Sequence, residues 1–306
     1  MPEPVSGAPR SGTVALVGRP NAGKSTLLNR LLGEKLAIVS DKPQTTRQRL
    51  VGILTEARGQ IVFHDTPGIH RPLHRLNRQM VRLALEALAE ADLTCVLLDA
   101  SVPSGAGDAF LLDLLRKSPG LRVAVLNKID LVSKPRLLPA IARLAETGLF
   151  EEIVPVSALT GDGGPRLVEV LFRHLPVGPP LYDPQLWTVH PERFLAAELI
   201  REKVLERTRE ELPFTTAVLI EKWEEEPERE RTRIYAALLA ERPGQKKILI
   251  GRQGATIKAI GTAARQDIEG LLGRRVHLDL HVRLEPGWRE SRRLLADLDQ
   301  DLVAGS

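Results

Sequence analysis

Between residues 13 and 175 short apolar runs alternate with amphipathic stretches, the pattern of a βαβ sheet. Residues 14–18, 60–64, 94–98, 122–127 and 152–156 are predicted strands. Most are near-continuously apolar, as parallel strands covered on both faces must be. Residues 22–32, 76–89, 110–116 and 137–145 read as the connecting helices. The segment 176–184 holds four prolines, too many for a helix or a central strand, and reads as a linker.

Past the linker the periodicity changes. Residues 193–211 are helical, ending before Pro213, and residues 214–223 and 232–240 read as strands flanking an acidic loop. Residues 246–251 lead into a glycine-containing turn, followed by a helix over 255–272. The last strand, 275–284, alternates: Val276, Leu278, Leu280, Val282 and Leu284 share one face, and His277, Asp279, His281 and Arg283 the other. The two histidines have no evident third ligand and read as a solvent-facing pair rather than a metal site. The expected organisation is a flexible N-terminus (1–12), a parallel-sheet α/β domain (13–176), a linker (177–192) and an α+β domain with a C-terminal extension (193–306).

Composition changes this picture little. At 306 residues, two domains can each bury a core. Cys95, the single cysteine, lies in an apolar run, which rules out disulfides and cysteine metal sites within the chain and suits a reducing cytosolic compartment. Residues 1–12 lack the apolar core of a secretion signal, and the longest apolar runs are far too short to span a bilayer. Charge is more telling by position than by its total of +4. Between Arg242 and Arg293 twelve Lys/Arg stand against five Asp/Glu, a balance of +7, just after an acidic run over 221–230. That juxtaposition suits a polyanion site.

Gly18-Arg-Pro-Asn-Ala-Gly-Lys-Ser25 matches the phosphate-loop pattern GxxxxGK[ST] and lies between a predicted strand and a predicted helix, the context such a loop requires. Its backbone N–H groups, those of Asn21, Ala22, Gly23 and Thr26 among them, are free to ring a phosphate at a helix N-terminus. Lys24 is expected to neutralise β/γ oxygens and the Ser25 hydroxyl to ligate Mg²⁺. Asp65-Thr66-Pro67-Gly68 ends the next predicted strand, with Asp65 placed to hold Mg²⁺ through water and the Gly68 N–H to sense a γ-phosphate. Asn127-Lys128-Ile-Asp130 ends a further strand. The Asp130 carboxylate is suited to the two N–H donors on the guanine edge, a pairing adenine does not offer. Asn127 can tie this loop to the phosphate loop, and the stem of Lys128 can cover the base. Ser157-Ala158-Leu159 follows the next strand, with the Ala158 N–H a candidate donor to guanine O6.

Taken in this order, the motifs resemble the translation-factor-related P-loop GTPases. Pro43-Gln-Thr-Thr-Arg-Gln-Arg49 is similar to the first switch of the Era family. By that resemblance Thr46, with Thr45 as the alternative, closes over Mg²⁺ and the γ-phosphate. Ile69 stands where some GTPases carry the glutamine that orients the attacking water, a departure shared by the hydrophobic-substituted GTPases. Asn21 resembles the residue that in several of these helps hold a monovalent cation, which implies K⁺ activation.

Ile248-Leu-Ile-Gly-Arg-Gln-Gly254 carries a GxxG loop of the kind with which KH domains clamp a four-nucleotide single strand. Gly251 and Gly254 permit close backbone approach, Arg252, Lys246, Lys247 and Lys258 supply charge, and Gln253 completes the loop. Ile248, Ile250, Ile257 and Ile260 divide between a base-lining groove and the core. Helix, strand, strand, helix, GxxG, helix, strand is similar to the second (type II) KH topology, and a GTPase joined to such a domain is the arrangement of the Era family. The resemblance spans Gly18 to Trp288. It implies GTP/GDP exchange and hydrolysis with Mg²⁺, binding to the 3′ region of 16S ribosomal RNA, and a role in small-subunit assembly. It also implies a monomer that does not bind DNA and is cytoplasmic, with peripheral contact at the membrane.

Two other classes compete. A P-loop RNA-modifying or metabolic enzyme without a KH clamp would need catalytic Cys, His or metal clusters, against which the lone Cys95 and scattered histidines speak. An RNA-binding module with a dead nucleotide fold is at odds with the complete set Lys24, Ser25, Thr46, Asp65 and Asp130.

Overall fold

The computed structural model describes residues 8–40, 42, 45–69, 75–209 and 212–300. Pro43 and Gln44 of the expected switch, residues 1–7 of the expected flexible N-terminus, and residues 210–211 of the predicted helix lie outside them. The chain forms two compact units, dividing between Val189 and His190.

In chain order the first unit comprises β1 (Arg10–Gly18), α1 (Lys24–Leu32), β2 (Leu50–Glu56), β3 (Gly59–Asp65), α2 (Arg75–Glu90), β4 (Leu93–Asp99), α3 (Ala106–Arg116), β5 (Leu121–Asn127), α4 (Lys134–Glu146), β6 (Glu152–Val156) and α5 (Gly164–His174). The sheet order is β2-β3-β1-β4-β5-β6; only β2 runs antiparallel to its neighbour. The central strands are covered on both faces, which is why their sequences are apolar throughout. The C-terminal ends of β1, β3 and β5 carry the three motifs, so parallel strands deliver them to one edge of the sheet.

Two boundaries differ from expectation. β1 begins at Arg10, within the stretch expected to be flexible, because Arg10, Ser11 and Gly12 pair with Gly59, Gln60 and Ile61. The linker is not free as far as residue 189. The Gln60 side chain is fully buried and accepts the N–H groups of Leu181 and Tyr182 on Oε1 (2.8 and 2.9 Å) while its amide donates to the Tyr182 carbonyl (3.0 Å). The Ile53 N–H donates to the Trp187 carbonyl (2.8 Å), and the Thr188 hydroxyl to that of Val51 (2.7 Å). Trp187 and Thr188, at the end of the linker, thus cover part of the outer edge of β2, which would otherwise present unpaired groups. Neither β2 nor α5 was predicted.

The second unit comprises α6 (Glu192–Arg207), α7 (Leu212–Thr215), β7 (Ala217–Glu226), β8 (Arg231–Ala240), α8 (Pro243–Ile250), α9 (Ala255–Leu272), β9 (Arg275–Leu284) and α10 (Arg292–Gln300). β8 is central, antiparallel to β7 and parallel to β9. Ile200 and Val204 of α6 and Ile260, Ala264 and Ile268 of α9 pack on Ile234 and Leu238 of β8 in one core. The element order and sheet match the expected α+β domain.

The acidic stretch is not a loop. β7 runs through Glu226, and only residues 227–230 turn. Its carboxylates meet cations on neighbouring strands: Glu226 pairs with Arg231 (2.7 Å) and Arg233 (2.8 Å), and Glu221 with Arg283 (2.9 Å). Cross-strand opposite charges let an acidic sequence extend. α6 stops at Arg207, earlier than predicted, where the Thr208 hydroxyl takes the Val204 carbonyl (2.7 Å). On β9 the outward histidines are exposed, and no cluster of three metal-ligating side chains occurs among the described residues.

Candidate functional site

The phosphate loop leaves β1 at Gly18 and enters α1 at Lys24, with Asn21 (φ 63°) and Gly23 (φ 93°) both left-handed. Gly23 has no room for a side chain: a Cβ there would lie 2.2 Å from Asn127 Nδ2. Close approach also explains Gly68, where a Cβ would fall 2.6 Å from the Pro20 nitrogen and push the two loops apart.

A cleft is lined by Pro20, Asn21, Gly23, Lys24, Ser25 and Thr26 on one side and by Gly68, Thr45 and Thr46 on another. Ile38, Val39 and Ser40 complete its wall. Sequence reasoning missed these three; their placement follows from Asn29, whose Oδ1 accepts the Leu36 and Ala37 N–H groups (3.0 and 2.8 Å).

Three oxygens meet beneath this cleft. Asp65 Oδ2 accepts the Ser25 hydroxyl (2.8 Å) and lies 3.4 Å from Thr46 Oγ1, and the two hydroxyls are 2.9 Å apart. Thr45 instead donates to the Lys42 carbonyl (2.6 Å). The other carboxylate oxygen, Asp65 Oδ1, is buried without a partner among the described residues. An orphaned carboxylate oxygen beside two hydroxyls is a hard oxygen set of the kind Mg²⁺ takes, so the residues fit that ion. Burial holds the Lys24 ammonium below the ordinary lysine range, against the pull of Asp65. Burial likewise raises the Asp65 carboxyl, opposed by Lys24 and the Ser25 and Thr46 hydroxyls. A polyanion with its cation, bound here, would add opposite charge beside both groups, beyond what they give each other.

Asn127 ties the base-side loop to the phosphate loop. Its Nδ2 donates to the Ala22 carbonyl (2.8 Å) and its Oδ1 accepts the Ala158 N–H (2.9 Å), all buried. The Ala158 N–H is therefore engaged by Asn127 rather than free for a guanine carbonyl, a departure from expectation. Asp130 is exposed and held by the Ser157 hydroxyl (2.6 Å). Lys128 (φ 65°) is held by Asp99 (2.6 Å), a partner the sequence does not announce. Leu159 is exposed beside Asp130's loop, its carbonyl taken by Arg30. The Thr66 hydroxyl is turned away from any ligand, donating to the Leu16 carbonyl (2.8 Å), and Pro67 is buried. Ile69 packs with Ala15, Val17 and Leu98 in the apolar core, so nothing at that position orients water. Burial pushes the Cys95 thiol up to about 12, which excludes it as a nucleophile.

In the second unit the GxxG loop bends at Gly251 (φ 74°), Gln253 (φ 53°) and Gly254 (φ 78°). A Cβ at Gly254 would meet nothing within 4 Å, leaving its backbone open to a ligand. Arg265, Arg274, Arg283 and Arg289 are each paired with a glutamate. Lys246, Lys247, Arg252 and Lys258 border the loop and form no ion pair among the described residues. Ile260 is core, Ile250 and Ile257 pack partly against it, and Ile248 is left 55% exposed beside the loop.

Fold and site together define a P-loop nucleotide-binding domain followed by a KH domain of the second topology. A family model described as a 50S ribosome-binding GTPase matches residues 13–128, and a KH-domain model matches residues 211–289. GTPase Era of Leuconostoc citreum is 47% identical over 291 residues, covering 94% of this chain and 96% of the relative. That of Geobacter metallireducens is 47% identical over 289 residues, covering 94% and 97%. A crystal structure of Era with MgGDPNP and nucleotides 1506–1542 of 16S ribosomal RNA superposes with a TM-score of 0.92 at 37% identity, covering 95% of this chain and 98% of that one. An Aquifex aeolicus Era variant bound to GDP and AlF₄⁻ gives 0.90 at 38%, covering 94% and 98%. The chain belongs to the Era family of GTPases.

Proposed function

We propose that this chain binds and hydrolyses GTP with Mg²⁺ and couples that cycle to single-stranded RNA, the 3′ region of 16S ribosomal RNA, during small-subunit assembly. The observation that carries the reading is the meeting of Ser25, Thr46 and Asp65 beneath a phosphate loop whose Asn127 tether fixes the base-side loop. The complex of a related Era protein with MgGDPNP and a 16S ribosomal RNA fragment supports the ligand and the RNA.

Ser25 and Thr46 would hold Mg²⁺ directly and Asp65 through water, and the ion when bound supplies charge against the β- and γ-phosphate oxygens. Lys24 and the loop N–H groups offset the remaining phosphate charge. The Gly68 N–H faces the γ-phosphate and Asp130 reads the two guanine donors. With Ile69 in the core, positioning rests on Mg²⁺, Lys24 and backbone donors, and Asn21 is the residue that would hold K⁺ as an added cation. In the KH unit, Gly251, Gln253 and Gly254 admit the RNA backbone while Lys246, Lys247, Arg252 and Lys258 neutralise its phosphates. Cytoplasmic location, monomeric action and peripheral membrane contact accompany the family reading; no helix among the described residues is long and apolar enough to cross a membrane.

The test is GTP hydrolysis by the full chain with and without short RNA oligomers. GTP turnover that RNA modulates is expected. Hydrolysis indifferent to every RNA would leave a GTPase without coupling, and RNA binding without hydrolysis would leave a dead nucleotide fold.

A further inference from the structure

Beside the base-side loop, but outside the nucleotide cleft, α3 and α4 flank a half-open cavity of about 470 Å³. Its size lies within the ~300–1,000 Å³ of small-molecule sites. Leu98, Leu112, Leu126 and Leu144 wall it, and Val102 and Leu131 stand at its mouth, 42% and 67% exposed. Arg136, Ala140, Arg143 and Leu144 reach it from one stripe of α4, and Thr147 from the position that caps that helix. None of α4's residues is fully buried; Leu137, Ala140, Ile141 and Leu144 pack partly against the core, and Ala140 and Leu144 also border the cavity.

The charges around it are unevenly satisfied. Asp99 is neutralised by Lys128 (2.6 Å) and also accepts from the Ser101 hydroxyl (2.5 Å). Asp108 is neutralised by Arg19 (2.8 Å) and also caps the Gly105 N–H (3.2 Å). Arg136 and Arg143, two helical turns and about 10 Å apart, have no ion pair among the described residues. The lining therefore presents an apolar body rimmed by two solvent-exposed arginines that form no ion pair among the described residues.

We propose that this cavity binds a small amphiphilic anion, its apolar part among the leucines and its acidic group between Arg136 and Arg143. A ligand here touches Asp99, which holds Lys128 of the Asn127-Lys128-Ile-Asp130 loop. Occupancy is thereby linked to nucleotide affinity, reciprocally. The link, unlike the site, rests on the guanine-loop reading.

The test uses decanoate as probe and the full chain, with binding followed by titration calorimetry and GDP affinity by a fluorescent analogue. Saturable one-to-one binding is expected, weakened about tenfold or more in Arg136→Ala/Arg143→Ala, since each charge-assisted hydrogen bond to a carboxylate is lost. Ala140→Leu, which fills the cavity and leaves both arginines in place, is expected to abolish it; the arginine pair decides the matter should that variant fail to fold. Decanol is expected to bind more weakly than decanoate and decyltrimethylammonium not at all. Binding unchanged in both variants, or no saturable binding, overturns the site. Decanol equal to decanoate overturns the anion and makes the cavity an apolar groove for a protein segment. Saturable binding with no shift in GDP affinity overturns the link through Asp99. Failure of the wild type to bind GDP at all would instead tell against the guanine-loop reading.

Discussion

Replacing Asn127 by alanine tests whether one buried amide holds the nucleotide pocket together. Its two hydrogen bonds, to the Ala22 carbonyl (2.8 Å) and from the Ala158 N–H (2.9 Å), lie where solvent does not reach; Asn127 is 1% exposed. Truncation leaves two buried backbone groups without partners, each at about 1–3 kcal/mol, so a loss of roughly 2–6 kcal/mol is expected. Against a typical total of about 5–15 kcal/mol that is severe. At about 2–4 °C per kcal/mol, the melting transition of the first unit should fall by roughly 4–24 °C. GDP affinity should fall with it, since the phosphate loop and the base-side loop no longer share a fixed geometry. Gly23→Ala supplies an internal check. Its Cβ would sit 2.2 Å from Asn127 Nδ2 at φ 93°, so in the wild type it meets both a clash and a left-handed penalty. In the Asn127→Ala background the clash is gone, and only the left-handed penalty of about 1–2 kcal/mol remains. The two substitutions should therefore be non-additive. Calorimetric scans of the four proteins measure this directly. A loss below about 1 kcal/mol for Asn127→Ala with GDP affinity intact, or strict additivity with Gly23→Ala, would refute the tether.

Asp130→Asn should weaken GTP by roughly 1.5–3 kcal/mol and favour xanthosine triphosphate, whose oxo group suits an amide donor; competition binding that retains full GTP preference would remove Asp130 from the base pocket. Placing aspartate at both Arg252 and Gln253 keeps the glycines and should abolish RNA binding in gel-shift titrations while GTP affinity stays constant; unchanged RNA binding moves the interface elsewhere. Single-turnover hydrolysis should be faster in K⁺ than in Na⁺ at equal ionic strength, and this difference should vanish in Asn21→Ala; equal wild-type rates in both salts would leave Mg²⁺ and Lys24 as the only charge stabilisers. His64 is held at about 4 by burial, then by Arg49, with Glu90 opposing. Between its ordinary 6.5 and about 4 the unfolded chain binds a proton that the native state refuses, so stability falls as pH drops through that window. The fall approaches about 3 kcal/mol, and His64→Gln should flatten it in urea titrations followed by a probe on the first unit.

The strand-end positions of the phosphate loop, Asp65, Asn127 and Asp130 were legible in the chain because each follows or closes a short apolar run. Strands covered on both faces were legible for a related reason: burial forces a continuous apolar run. The KH domain could be read from its order of elements and from Gly251 and Gly254. Other features depend on residues far apart in sequence, where local periodicity carries no information. Gln60 fixes the linker across 121 positions, and the end of that apparent spacer, at Trp187 and Thr188, covers part of the edge of β2. Asn127 reaches Ala22 across 105 and takes the Ala158 N–H that a local reading assigns to the base. Thr46 stands with Ser25 and Asp65 while Thr45 turns to Lys42, a choice made by backbone direction, since the two residue types are identical. β7 is a strand despite four glutamates because Arg231, Arg233, Arg274 and Arg283 lie beside three of them in space. Local patterns set what each segment can form and which chemistry it carries; long-range pairing of polar groups decides where each segment ends and which atoms remain free for a ligand.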